Sequence, residues 1–135
     1  MFDQPFELQL VTPEKVVFSG DVRVVSAPGS EGGFQVLRSH APLLTALDAG
    51  RIRVRDTNDA EIDYATSGGF LEVRDNLVTI LAESAEISGS IDIERAKRSK
   101  ARAEERLHNP PPGLDVERAR ASLARAVNRI KIAQG

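Results

Sequence analysis

The chain has 135 residues, with 18 lysines and arginines against 20 aspartates and glutamates and a 41% hydrophobic content; this suits one domain with an appendage and is too apolar for a disordered polymer. A net charge of −2 and six aromatic residues, none of them tryptophan, argue against a general nucleic-acid binder, which would be basic and rich in stacking rings. The absence of cysteine excludes disulfides, thiolate catalysis and cysteine-based zinc sites, while the lack of a roughly 20-residue apolar run and the acidic opening MFDQPFELQL lead us to expect a soluble intracellular protein without a signal peptide or direct membrane insertion.

Charge and texture change near residue 91. Residues 1–91 carry 7 Lys+Arg and 14 Asp+Glu, a balance of −7, whereas residues 92–135 carry 11 and 6, a balance of +5. All six aromatics lie in the first part, and the second is dense in Ala, Arg, Glu and Lys. Two units follow, 1–87 and 88–135, joined near Ser88-Gly89-Ser90.

In the first unit, short alternating or β-branched segments are punctuated by Gly, Pro, Asn and Asp, the pattern of strands and turns. Strands are predicted at Phe6–Leu10, Lys15–Phe18, Val22–Ser26, Phe34–Leu37, Arg51–Arg55, Glu61–Thr66, Phe70–Arg74 and Leu77–Ala82. The alternation of Arg51-Ile52-Arg53-Val54-Arg55 should turn Ile52 and Val54 to a core and the arginines to water. Asn58-Asp59 and Asp75-Asn76 suit tight hairpins, and Ser67-Gly68-Gly69-Phe70, lying between two strands, reads as a hairpin turn. Many short strands within about 90 residues imply an antiparallel β-sandwich.

In the second unit, residues 92–107 and 115–133 are free of Gly and Pro, and His108-Asn109-Pro110-Pro111-Pro112-Gly113 separates them, so an antiparallel two-helix hairpin is expected. The fold class is therefore β + α, a sandwich followed by the hairpin. Val116, Ala119, Leu123, Ala126, Ile130 and Ala133 form one apolar face; Ile93, Ala96, Lys100, Ala103 and Leu107 form its weaker counterpart. An alanine-rich seam buries little area, so the hairpin should detach or unfold easily. The two helices also repeat each other, with Asp92–Leu107 and Asp115–Ile130 identical at 9 of 16 positions. Each opens with an Asp suited to cap the helix and a Glu suited to its dipole. Arg95, Arg102 and Arg106 stripe the first helix, and Arg118, Arg125 and Arg129 stripe the second. They are either solvated helix surface or contacts to an anion or an acidic partner.

The usual nucleotide-binding loops, G-x-x-x-x-G-K-[ST] and G-x-G-x-x-G, are missing. The two histidines, His40 and His108, fall in different units, so a histidine-based metal site is not expected. No G-x-S-x-G elbow supports a triad built on His40, which lies in a loop before Pro42 and needs no catalytic role. Neither a catalytic residue nor a metal ligand is assigned.

At Gly29-Ser30-Glu31-Gly32, His40-Ala41-Pro42-Leu43-Leu44-Thr45-Ala46-Leu47 and Gly68-Gly69-Phe70-Leu71-Glu72-Val73, the chain resembles the epsilon subunits of bacterial F-type ATP synthases. The likeness continues through Val78–Ala82, Ala85-Glu86 and Ile91–Ala96. This resemblance implies a β-sandwich with a C-terminal helical hairpin in a non-catalytic rotor subunit of the central stalk that couples proton flow to ATP synthesis. It implies that the sandwich binds the gamma subunit and the c-subunit ring, at the cytoplasmic face of the bacterial plasma membrane. It also implies that the hairpin can fold down or extend towards the alpha/beta hexamer and inhibit ATP hydrolysis there.

Some members bind a regulatory ATP through an I/L-D-x-x-R-A motif, which Ile91-Asp92-Ile93-Glu94-Arg95-Ala96 matches. Carrying that likeness across residue by residue gives Glu86, Asp92, Arg95, Ala96, Arg102, Arg125 and Arg129 as a nucleotide site, with no Mg²⁺ requirement assigned. The ring-facing loop departs from the family pattern: Gly33-Phe34-Gln35-Val36 and Arg38-Ser39-His40-Ala41-Pro42 stand where G-E-L-G-[IV] and P-G-H-A-P are customary. Contact to stalk and ring is therefore expected around Glu31, Ser39 and His40. The triple proline should stiffen the hairpin turn. A stand-alone nucleotide-sensing module and a nucleic-acid-binding hairpin are the competing classes; the acidic sandwich and the aromatic-free hairpin speak against nucleic acid.

Overall fold

A computed structural model describes residues 4–135; Met1–Asp3, where the expected N-terminal domain and the opening segment begin, lie outside the described residues. The strands are β1 (Phe6–Val11), β2 (Val16–Ala27), β3 (Phe34–Val36), β4 (Leu43–Leu47), β5 (Gly50–Asp56), β6 (Glu61–Thr66), β7 (Gly69–Arg74), β8 (Leu77–Ala82) and β9 (Ala85–Ile87). A 3-10 turn at Ser88–Ser90 precedes helices α1 (Ile93–His108) and α2 (Val116–Ala133). The chain divides into two compact units, the first ending at Ile87 and the second running from Ser88 to Gly135.

The sandwich turns on β2. Its first half pairs with β1, from Phe6↔Val22 to Val11↔Val16, and its second half pairs with β5 and β3, with Ser26 opposite Arg53 and Gln35. The two layers therefore run β4-β7-β8-β1-β2 and β3-β2-β5-β6-β9. The two strands predicted at Lys15–Phe18 and Val22–Ser26 are thus one strand shared by both layers. Every ladder is antiparallel except β1–β8, which is parallel from Glu7↔Leu77 to Val11↔Leu81. The sandwich is thus antiparallel as expected but for this one ladder. No short turn fixes the relative direction of these two strands, and their Leu8, Leu10, Val78 and Ile80 are wholly buried, as parallel pairing favours.

The core consists of the inward positions of both layers, including Leu8, Leu10, Val22, Val25, Ile52, Val54, Leu71, Val78 and Ile80. Ile52 and Val54 are fully buried as the alternation of β5 predicts. Between β7 and β8, Asp75 and Asn76 adopt φ of 50° and 61° and join the pair Arg74↔Leu77. Positive φ at both central residues is the type I′ geometry that matches strand twist.

Ser67-Gly68 is not the hairpin turn its glycines suggest. β6 pairs with β5 and β9, and β7 pairs with β4 and β8, so this segment crosses from one layer to the other. Gly69 has φ 147°, and a Cβ there would fall on the Leu81 carbonyl oxygen; only glycine lets the incoming backbone lie that close.

In the second unit, the Asp92 carboxylate accepts the Arg95 N–H at 3.0 Å and the Asp115 carboxylate accepts the Arg118 N–H at 3.1 Å. The repeated Asp-x-Glu-Arg opening is thus a repeated N-cap. Ala96, Ala103, Ala119 and Ala126 are buried as the seam predicts. Val116, assigned to that face, is instead exposed because it is the first residue of α2. Ile132 is buried, although at about 100° per residue it lies some 120° round α2 from Ala126. α2 packs on α1 and on the 3-10 turn.

Candidate docking surface and nucleotide site

The two sandwich faces differ in chemistry. On the outside of β4, β7, β8, β1 and β2, the pairs Ala46↔Phe70, Phe70↔Leu81, Leu81↔Val11 and Val11↔Val16 set five apolar side chains in one row. Leu44 stands two residues from Ala46 on the same face. At roughly 4.8 Å per strand the row is about 19 Å long. Leu44 is 71% exposed, Val16 62%, and Phe70 and Leu81 56% each. A contiguous exposed apolar strip of this kind marks a protein contact. Sequence reasoning missed it, yet the signal is present: Leu43-Leu44, Phe70-Leu71 and Ile80-Leu81 place apolar residues where a half-buried strand should alternate.

The other face, over β5 and β6, is charged. Arg53 binds Asp63 bidentately, Nε to Oδ1 at 2.7 Å and Nη2 to Oδ2 at 3.0 Å, and Arg55 Nη2 donates to Glu61 Oε1 at 3.2 Å. The hydrogen bond from Arg53, with its charge and that of Arg51, holds the Asp63 carboxyl below the usual carboxylate range against the opposing effect of burial. The same hydrogen bond raises the Arg53 guanidinium.

Glu31, Ser39 and His40 do not form a single loop. Glu31 lies exposed in the β2–β3 turn, which is fixed to the end of β4 by Ser30 N–H donating to Ala46 O at 3.0 Å and by the Gly29↔Leu47 bridge. Ser39 and His40 precede the start of β4. Ser39, at φ 64°, donates its N–H to Asn76 Oδ1 at 2.7 Å, and Arg38 Nη1 donates to Pro5 O at 2.8 Å. The His40 imidazole donates through Nδ1 to Ala41 O at 2.7 Å. The five-residue β4 separates the two sites by about 14 Å along the strand.

Of the nucleotide-site residues, Glu86 lies on β9 opposite Ala65 in the first unit, and the other six belong to the second. Asp92 caps α1, and Ala96, wholly buried, is a packing residue of the seam. Arg95 and Arg125 are exposed and Arg129 is half-buried, and Arg102 Nη2 donates to Ser99 Oγ at 3.3 Å. Each of Arg95, Arg102 and Arg125 immediately precedes a seam alanine, which sets it about 100° to one side of the seam. Arg129 lies about 60° to that side. Because the short 109–115 connection makes the helices antiparallel, these flanks fall on the same side of the hairpin. The arginines of both helices can therefore address one polyanion. Among the described residues, no group of three or more acidic or histidine side chains is placed to hold a metal ion, and no helix is long and apolar enough to cross a membrane.

Comparison with known proteins agrees with this division. Residues 5–88 match the model of the ATP synthase delta/epsilon chain β-sandwich domain, and residues 90–134 match that of the delta/epsilon chain long α-helix domain. The ATP synthase epsilon chain of Desulforamulus reducens is 47% identical over 127 residues, covering 94% of this chain and 96% of that one. That of Moorella thermoacetica is 50% identical over 126 residues, covering 93% and 94%. The fold also superposes on a chain of the Euglena gracilis mitochondrial ATP synthase OSCP/F1/c-ring structure with a TM-score of 0.84 at 21% identity, covering 97% of this chain and 82% of that one.

Proposed function

The chain belongs to the ATP synthase delta/epsilon family, as an epsilon subunit of the F-type ATP synthase central stalk, and on that premise we propose that its sandwich docks on the gamma subunit through the apolar strip of Val16, Leu81, Phe70 and Leu44. The exposure of that strip carries the reading: a protein contact removes it from water, and at about 1.5–3 kcal/mol per fully buried side chain it supplies several kcal/mol. The turns bearing Glu31 and Ser39-His40 take the polar contacts to the c-subunit ring. The role requires binding and torque transfer and no chemistry, so the subunit is non-catalytic. It works as a peripheral protein at the cytoplasmic face of a bacterial plasma membrane, coupling proton flow to ATP synthesis. Co-elution with purified gamma subunit tests the docking assignment: Phe70→Glu should abolish the complex while leaving the thermal unfolding of the free chain unchanged. Undiminished complex formation by that variant refutes the strip as the gamma contact.

We further propose that the hairpin is the regulatory part, inhibiting ATP hydrolysis from the alpha/beta hexamer and responding to ATP. The shared flank of Arg95, Arg102, Arg125 and Arg129 supports this, because guanidinium groups from two helices can bind phosphate bidentately only when the helices are paired. Calorimetric titration with ATP, with and without Mg²⁺, should give saturable heat that Arg95→Ala removes. No heat at millimolar ATP reduces the arginines to solvated surface and partner contacts.

A further inference from the structure

The charged sandwich face holds a second anion-binding geometry, remote in sequence from the helices. A cavity of about 230 Å³ is lined by Ser26, Gln35, Arg51, Arg53, Arg55 and Glu61. Strand register explains its charge. Arg55 stands opposite Glu61 and Arg53 opposite Asp63, but Arg51 stands opposite Ala65. Across the β5–β6 ladder three guanidinium groups thus face two carboxylates, with Glu86 of β9 one strand further on, beyond Ala65. Asp63 is already engaged bidentately by Arg53, and Arg51 Nε lies 3.6 Å from it, beyond hydrogen-bond range. That Nε is buried and has no hydrogen-bond partner; a buried donor left so costs about 1–3 kcal/mol.

The rest of the Arg51 side chain is reachable, the side chain being 29% exposed, and the groups around that exposed part specify what it suits. Gln35, Ser26, Arg53 and Asp63 form one cross-strand row over β3, β2, β5 and β6, which puts a hydroxyl and an amide on the same face as Arg51. A shallower cavity bordered by Pro28, Gly33 and Phe34 meets the first at Ser26, Gln35 and Arg51. The Arg51 fork, the Ser26 hydroxyl and the Gln35 amide offer more donors than the two oxygens of a carboxylate accept, and they suit the oxygens of a tetrahedral phosphate.

We propose that the Arg51–Ser26–Gln35 cavity is a phosphate-binding site on the sandwich, accepting either inorganic phosphate or the phosphoryl end of a small ester whose body lies along Pro28 and Phe34. The test is a titration of the isotopically labelled full chain with sodium phosphate at fixed pH and ionic strength, followed by the backbone amide resonances. Saturable shifts at Ser26, Gln35 and Arg51 with a millimolar dissociation constant are expected, lost in Arg51→Gln and retained in Arg102→Gln. Ser26→Ala, which removes only a hydroxyl, weakens binding severalfold and serves as the second variant should Arg51→Gln lower the unfolding temperature. A parallel titration with phenyl phosphate separates the sources: tighter binding than phosphate identifies an ester site, and equal binding identifies a site for the free ion. Shifts that grow linearly without saturation, that spread over the helix arginines, or that survive both Arg51→Gln and Ser26→Ala overturn the proposal.

Discussion

Ala126→Gly tests whether the hairpin opens as a unit of its own. Ala126 is 3% exposed in the middle of α2. Its loss removes one buried methyl group, about 0.8 kcal/mol, and adds about 1 kcal/mol of lost helix propensity. The sum, near 2 kcal/mol, is a large part of the about 3 kcal/mol that the four buried alanine methyls contribute, and helices of 16 and 18 residues take most of their stability in a protein from such packing. Amide hydrogen exchange read by mass spectrometry should show α1 and α2 exchanging roughly 30-fold faster, since each 1.4 kcal/mol is tenfold. The β1 and β8 amides should keep their rates. Lys100→Leu is the opposite perturbation: Lys100 is half-buried between Ala96 and Ala103, and an apolar side chain there should slow helix exchange about tenfold. Equal acceleration of helix and strand amides in Ala126→Gly would mean that the two units unfold together, and unchanged helix rates would mean that the seam does not hold the hairpin.

Gly69→Ala drives a methyl into the Leu81 carbonyl at a backbone angle that disfavours side chains; it should cost about 2 kcal/mol or more and lower the melting temperature of the sandwich by roughly 8–16 °C in calorimetry, and an unchanged melting temperature refutes the close approach. Asp63, with its folded carboxyl depressed by Arg53, contributes stability that is full above the ordinary carboxylate pKa of about 4 and is lost as pH falls through the lower folded value. The urea midpoint of Asp63→Asn should therefore lie below that of the parent at pH 7 and approach it towards pH 3; a gap constant over that range excludes the ion pair as its source. Asp115→Ala removes the α2 cap, at about 1 kcal/mol, and should reduce helical circular dichroism and speed exchange in the first turn of α2. Asp115→Asn, which can still accept the Arg118 N–H, should restore most of both.

Local chemistry was the legible part. The period of β5, the paired caps at Asp92 and Asp115, the Asp75-Asn76 turn and the alanine seam each follow from residues within a few positions of one another. What escaped depends on pairings made far along the chain. β4 has apolar residues on both faces, Leu43 against the core and Leu44 to solvent, so no period of two marks it. Three-residue β9 is too short to show any pattern and exists by pairing with β6. Ser67-Gly68 has turn chemistry, but its neighbours pair in different layers, so the same residues serve as a crossover. Glu31 and His40 are nine positions apart, but backbone pairing ties the turn of Glu31 to the end of β4 while His40 stands before its start. Arg51 looked like its two neighbours until the register set it opposite Ala65.

The energies of the two units differ in a way that bears on regulation. The sandwich buries leucines, isoleucines and valines completely across two layers, each worth about 1.5–3 kcal/mol, so no single ligand changes its population appreciably. The four alanine methyls of the hairpin seam contribute about 3 kcal/mol, to which the buried Ile132 adds its own share, and a ligand at one hundred times its dissociation constant stabilises the form it binds by about 2.7 kcal/mol. The two quantities are of the same order. On the proposed ATP reading, a nucleotide that needs arginines from both helices shifts the hairpin towards its paired form while the docking face stays fixed. Had the seam been built of leucines, the same nucleotide would bind without switching anything. On that reading the alanines place the hairpin where ligand binding regulates it, and the Lys100→Leu variant should lose the response before it loses nucleotide binding.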